Sequence, residues 1–108
     1  MVLIFGGAYQ GKTAYAQEHF NEKVIIGNFD RIILDWIRAG ECVEDNLRRF
    51  LDANYDAVII CDDISCGVVP IDPVMRKWRE AVGRAMVLLA HHSNEVIRLY
   101  CGIPTKLK

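Results

Sequence analysis

The residues best equipped for chemistry stand near the amino end, where Gly6-Gly7-Ala8-Tyr9-Gln10-Gly11-Lys12-Thr13 satisfies the pattern G-x-x-x-x-G-K-[ST]. That spacing suits a polyphosphate. Glycines at 7 and 11 let the backbone approach phosphate oxygens, and successive N–H groups can converge on one anion. Lys12 adds a point charge toward the outer phosphates, and the Thr13 hydroxyl is placed to ligate Mg2+. Gly6, Gly7, Ala8, Tyr9, Gln10, Gly11, Lys12 and Thr13 are therefore the expected nucleotide-binding residues, with ATP or GTP as ligand.

A site of this kind also needs a carboxylate at the end of a neighbouring strand, to hold the metal directly or through water. Val58-Ile59-Ile60-Cys61-Asp62-Asp63 provides two. Side chains alternate along a strand, so one of the two faces the phosphates and the other packs toward the next loop. Asp62 is expected to hold Mg2+ together with Thr13. Asp63 is expected to position or deprotonate an acceptor hydroxyl, and Lys12 to stabilise the charge that builds on the phosphoryl oxygens. A solvated turn at the strand end is the competing reading of the acidic pair.

These groups work only if the chain places them at one edge of a sheet. Val2 to Phe5 reads as a buried strand, followed by a helix from about Lys12 to Phe20 and a short strand at Val24 to Ile26. Phe29, Ile32, Ile33, Trp36 and Ile37 recur at helical spacing through residue 39, with Gly40 as the stop. Val43, Leu47, Phe50 and Leu51 repeat that period through Ala53, and Ala57 to Cys61 is a β-branched strand. Asp72-Pro73 opens a long helix, as a side-chain cap followed by proline at the first helical position. Its cations Arg76, Lys77, Arg79 and Arg84 read as a solvated face more readily than as a phosphate subsite. Glu95 to Cys101 is the last strand, and Arg98 suggests that it lies near a sheet edge.

Strands separated by helices imply βα units. The expected fold is a single α/β domain over residues 1–108, P-loop NTPase-like, with three layers and a small, mostly parallel sheet of about four strands.

Thirteen Lys and Arg against 14 Asp and Glu leave a net charge of -1, and 52% of the residues are hydrophobic. Such a chain can bury enough surface to fold, and it has no basic stripe for nucleic acid. The apolar run Ala85 to Ala90 falls far short of the ~20 residues of a membrane span. The amino terminus has no basic region of a signal peptide, so a cytoplasmic location is expected. The 4 cysteines, Cys42, Cys61, Cys66 and Cys101, lack C-x-x-C spacing and are expected to be buried free thiols.

The loop at 6–13 stands beside Cys66-Gly67-Val68-Val69-Pro70-Ile71-Asp72-Pro73, Arg79-Glu80-Ala81-Val82-Gly83-Arg84 and the tail Cys101-Gly102-Ile103-Pro104-Thr105-Lys106-Leu107-Lys108. Together these resemble the adenosylcobinamide kinase/adenosylcobinamide-phosphate guanylyltransferase family of cobalamin biosynthesis. The resemblance implies a P-loop domain of the RecA group, a trimer, and phosphorylation of the adenosylcobinamide hydroxyl followed by transfer of GMP from GTP. The second step uses a histidine in the family's middle segment. That segment is much shortened here, with no histidine between Phe20 and Val58. The chain thus resembles a short form that keeps the kinase half and has lost guanylyl transfer. Asp63 aligns with a glutamate of the family. The rival to a kinase is a nucleotide-binding module without chemistry, serving an oligomer or a complex.

Overall fold

The computed structural model describes residues 1–64 and 71–108, so the Gly67–Pro70 part of the family-like segment and Cys66 lie outside the described residues. Among the described residues nine elements follow one another: β1 (Val2–Gly6), α1 (Lys12–His19), β2 (Ile25–Ile26), α2 (Phe29–Arg38), α3 (Val43–Ala53), β3 (Val58–Asp62), α4 (Pro73–His92), β4 (Glu95–Tyr100) and β5 (Ile103–Lys106). The sheet runs β2-β3-β1-β4-β5. All neighbours are parallel except β4 and β5, which pair antiparallel.

Both faces of the central strands are buried, which is why β1 and β3 read as continuous apolar runs. Alternation along the strands sorts their side chains into two cores. Leu3, Ile59, Cys61 and Val96 pack with Phe29, Ile33, Leu47, Leu51, Val82, Ala85 and Leu89 of α2, α3 and α4. Val2, Ile4, Val58, Ile60, Ile97 and Leu99 face the other way, onto Ala16, Tyr15 and Phe20 of α1 and its end.

The adjacent strands β1 and β3 therefore send their following helices to opposite faces. In an open parallel sheet that divergence leaves a crevice at the carboxyl ends of the two strands. The glycine loop and the acidic pair both sit there.

Element ends match the sequence reading to within a residue or two, and the strand count differs. Among the described residues the sheet has five strands, because the tail returns as β5. Cys101 and Gly102 both take positive φ, 51° and 74°, giving the two-residue turn that suits an antiparallel hairpin. β5 escaped the sequence reading because all its residues are exposed and it contains Pro104. A strand on the outer edge has no buried face to leave an alternating pattern, and it tolerates proline. As a consequence β4 is one strand in from the edge.

The end of α2 behaves as expected. Gly40 takes φ 73°, the left-handed conformation that stops a helix without strain in glycine. Asp72 caps α4 by accepting from the Val74 N–H at 2.8 Å.

Phe29 anchors the larger core: it is fully buried, with ring centroids 4.8 Å from Phe50 and 6.0 Å from Trp36. Truncating it leaves a cavity at the junction of α2 and α3. Phe29→Ala is expected to lower the unfolding free energy by about 3–5 kcal/mol, measured by urea denaturation.

Candidate functional site

The loop leaves β1 at Gly6 and enters α1 at Gly11, whose φ of 88° is left-handed. No side chain caps α1, and its first turn carries no acidic residue. The first N–H groups of α1 are thus left for an outside acceptor, and the helix dipole favours an anion there.

Three attachments hold the loop open. The Asp63 N–H donates to the Gly6 carbonyl at 2.8 Å, joining the loop to the end of β3. Across the loop, the Gly102 N–H donates to the Gln10 carbonyl at 3.2 Å, and the Cys101 N–H donates to Gln10 Oε1. Gly6 itself must be glycine, because a Cβ there would lie 2.3 Å from the Leu99 carbonyl oxygen.

Lys12 points inward. Its side chain is only 5% exposed, its Nζ lies 2.8 Å from Asp62 Oδ1, and it also donates to the Gly7 carbonyl. Asp62 reaches the lysine because it shares a strand face with Val58 and Ile60, the face that carries α1. Asp63 takes the opposite parity. A cavity of about 480 Å3 opens over the loop, lined by Ala8 through Ala14, Asn28, Arg31, Ile60 and Asp62. The structure thus brings together Ala8, Tyr9, Gln10, Gly11, Lys12, Thr13 and Asp62, with Gly6 and Gly7 at the root of the loop. Asp63 is not among the lining residues.

Asn28, Asp30 and Arg31 join this site without having stood out in the sequence. Asp30 falls off the apolar stripe of α2 yet is 3% exposed, and its Oδ1 accepts from the Asp62 N–H at 3.3 Å. Its carbonyl accepts from Trp78 Nε1 at 2.7 Å, which ties the first turn of α2 to α4. The signal available in the sequence was position: these residues follow Gly27 directly after β2, at the sheet edge where β1 and β3 also end.

The cationic face of α4 goes elsewhere. Lys77 and Arg84 line a separate groove of about 560 Å3 against α3, interleaved with Glu41, Glu44, Arg48 and Glu80. Mixed charge there suits a solvated surface.

Among the described residues the expectation that the cysteines are buried holds for Cys61 and fails for Cys42 and Cys101, which are exposed. Cys42 precedes α3 and Cys101 sits in the β4–β5 turn, both polar junctions with no core to enter. Burial, reinforced by the nearby Asp30 and Asp62 carboxylates, pushes the Cys61 thiol up to about 12. Iodoacetamide at pH 8, with sites mapped by mass spectrometry, is expected to modify Cys42 and Cys101 quickly and to spare Cys61 until denaturant is added.

The fold and site together define an α/β protein with a lysine-bearing glycine loop at the carboxyl edge of a mostly parallel sheet. The family model for cobinamide kinase/cobinamide phosphate guanyltransferase matches residues 34–107, more than half of the chain, and the chain belongs to that family. Membership places it among the kinases and transferases of cobalamin biosynthesis. The matched span begins beyond the glycine loop, so residues 6–13 rest on their own geometry. No curated protein matches the chain. Among the described residues no helix is long and apolar enough to cross a membrane.

Proposed function

We propose that the chain is a P-loop kinase that binds ATP or GTP with Mg2+ and transfers the γ-phosphoryl group to the hydroxyl of adenosylcobinamide. The observation that carries this reading is the convergence of Lys12, Thr13 and Asp62 on one cavity at the uncapped start of α1. Membership of the cobinamide kinase family supplies the acceptor.

Thr13 and Asp62 offer hard oxygen donors on one wall of the cavity, the donor type that Mg2+ takes together with water and phosphate oxygens. When bound, the ion neutralises phosphate charge. The loop amides and the start of α1 bind the inner phosphates. Lys12 then leaves the Gly7 carbonyl for the phosphoryl oxygens, where it stabilises the charge that develops during transfer. Asp63, at the end of β3 with its N–H bonded to the Gly6 carbonyl, remains the proposed carboxylate for the acceptor hydroxyl, acting from beyond the residues that line the cavity.

Guanylyl transfer has no carrier in this reading. His19 is exposed and stacked on Tyr15 at 4.0 Å, and His91 and His92 end α4. None of the three lines the loop cavity. A trimer, as in the resembling family, and a cytoplasmic location complete the proposal.

A coupled assay with cobinamide, ATP or GTP and Mg2+ tests it. The wild-type chain is expected to form phosphorylated cobinamide, and Lys12→Ala to lower the rate by about two orders of magnitude or more. Wild-type product no higher than that of Lys12→Ala refutes the kinase. Nucleotide binding without turnover would leave the non-catalytic module as the function.

A further inference from the structure

The start of α2, which lies beyond β3 from the glycine loop, also lines the cavity and carries a cation that the reaction above does not use. Arg31 lines the cavity together with Asn28. Among the described residues the Arg31 guanidinium takes part in no ion pair. Asn28 takes a left-handed φ of 53° and stands at the cap position of α2, yet its side chain makes no capping hydrogen bond. Its amide is uncommitted at a strained backbone position, and such positions concentrate at functional sites.

This wall is held firmly. Asp30, between the two, is buried and fixed to the Asp62 N–H through its carboxylate and to Trp78 Nε1 through its carbonyl. The side chains on either side of it therefore project from an anchored turn.

We propose that Arg31, assisted by the Asn28 amide, contacts the terminal phosphate of a bound nucleoside triphosphate and makes the site prefer triphosphate to diphosphate. The inference rests on the nucleotide reading above. The loop amides and Lys12 would grip from the side of β1 and α1, in a cavity whose lining also includes Arg31 for the far end of the polyphosphate. A magnesium-bound triphosphate retains negative charge that a single lysine does not neutralise. A guanidinium fork matches phosphate oxygens in two-point geometry, which an ammonium does not.

Calorimetric titration of the wild type, Arg31→Ala and Arg31→Lys with Mg·ATP, Mg·ADP, Mg·GTP and Mg·GDP decides the matter. Arg31→Ala is expected to weaken triphosphate binding about tenfold to a hundredfold while leaving diphosphate binding within about twofold. Arg31→Lys is expected to recover only part of the loss. Equal losses for tri- and diphosphate, or none for either, overturn the proposal. A wild-type chain that takes up no nucleotide at all refutes the loop reading beneath it, a result distinct from both. Arg31 is exposed, so the thermal melts of the variants should coincide with that of the wild type.

Discussion

A lysine ammonium almost withdrawn from water governs this structure. Lys12 sits where β1 turns into α1, and burying its charge is costly without a partner of opposite sign and acceptors for its protons. Asp62 and the Gly7 carbonyl supply them. For Asp62 to be there, β3 must lie beside β1, in the register that pairs Gly6 with Asp62. The parity of β3 must also put that residue on the α1 face. Sheet order, register and strand parity are all tied to one ion pair. The pair is asymmetric in exposure, 5% for Lys12 against 31% for Asp62. The carboxylate keeps access to the cavity, and the lysine is enclosed between it and the loop.

Preorganisation around that pair comes from the backbone. The loop is attached to β3 at Gly6 and to the β4–β5 turn at Gln10, so two neighbouring strands fix its shape before any ligand enters. A loop already open does not spend binding energy on ordering itself. The β5 hairpin, which looks peripheral in the sheet, thus supports the site through its turn. The start of α2 plays the same part on its own side of the cavity, through the buried Asp30.

The sequence showed some of this directly. The glycine pattern, the lysine and the helix after it are local features, fixed by residue type within one loop. The helices α2, α3 and α4 were legible from apolar spacing, since each buries one stripe. What the sequence left hidden is what tertiary pairing decides. The choice between Asp62 and Asp63 follows from which face of β3 carries α1. Asp30 and Arg31 both fall off the apolar stripe of α2, yet the fold buries one and lines the loop cavity with the other. Cys42 and Cys101 resembled Cys61 as small hydrophobes until their positions at turns became apparent. β5 had no pattern to find, being exposed along its whole length.

The most direct measurement is a crystal structure of the chain with Mg2+ and a non-hydrolysable triphosphate. The account predicts the phosphates seated on the N–H groups at the start of α1, with Lys12 Nζ moved from the Gly7 carbonyl to a phosphate oxygen. Lys12 still bound to Gly7 and Asp62, with the triphosphate absent or lodged outside the loop, would contradict it.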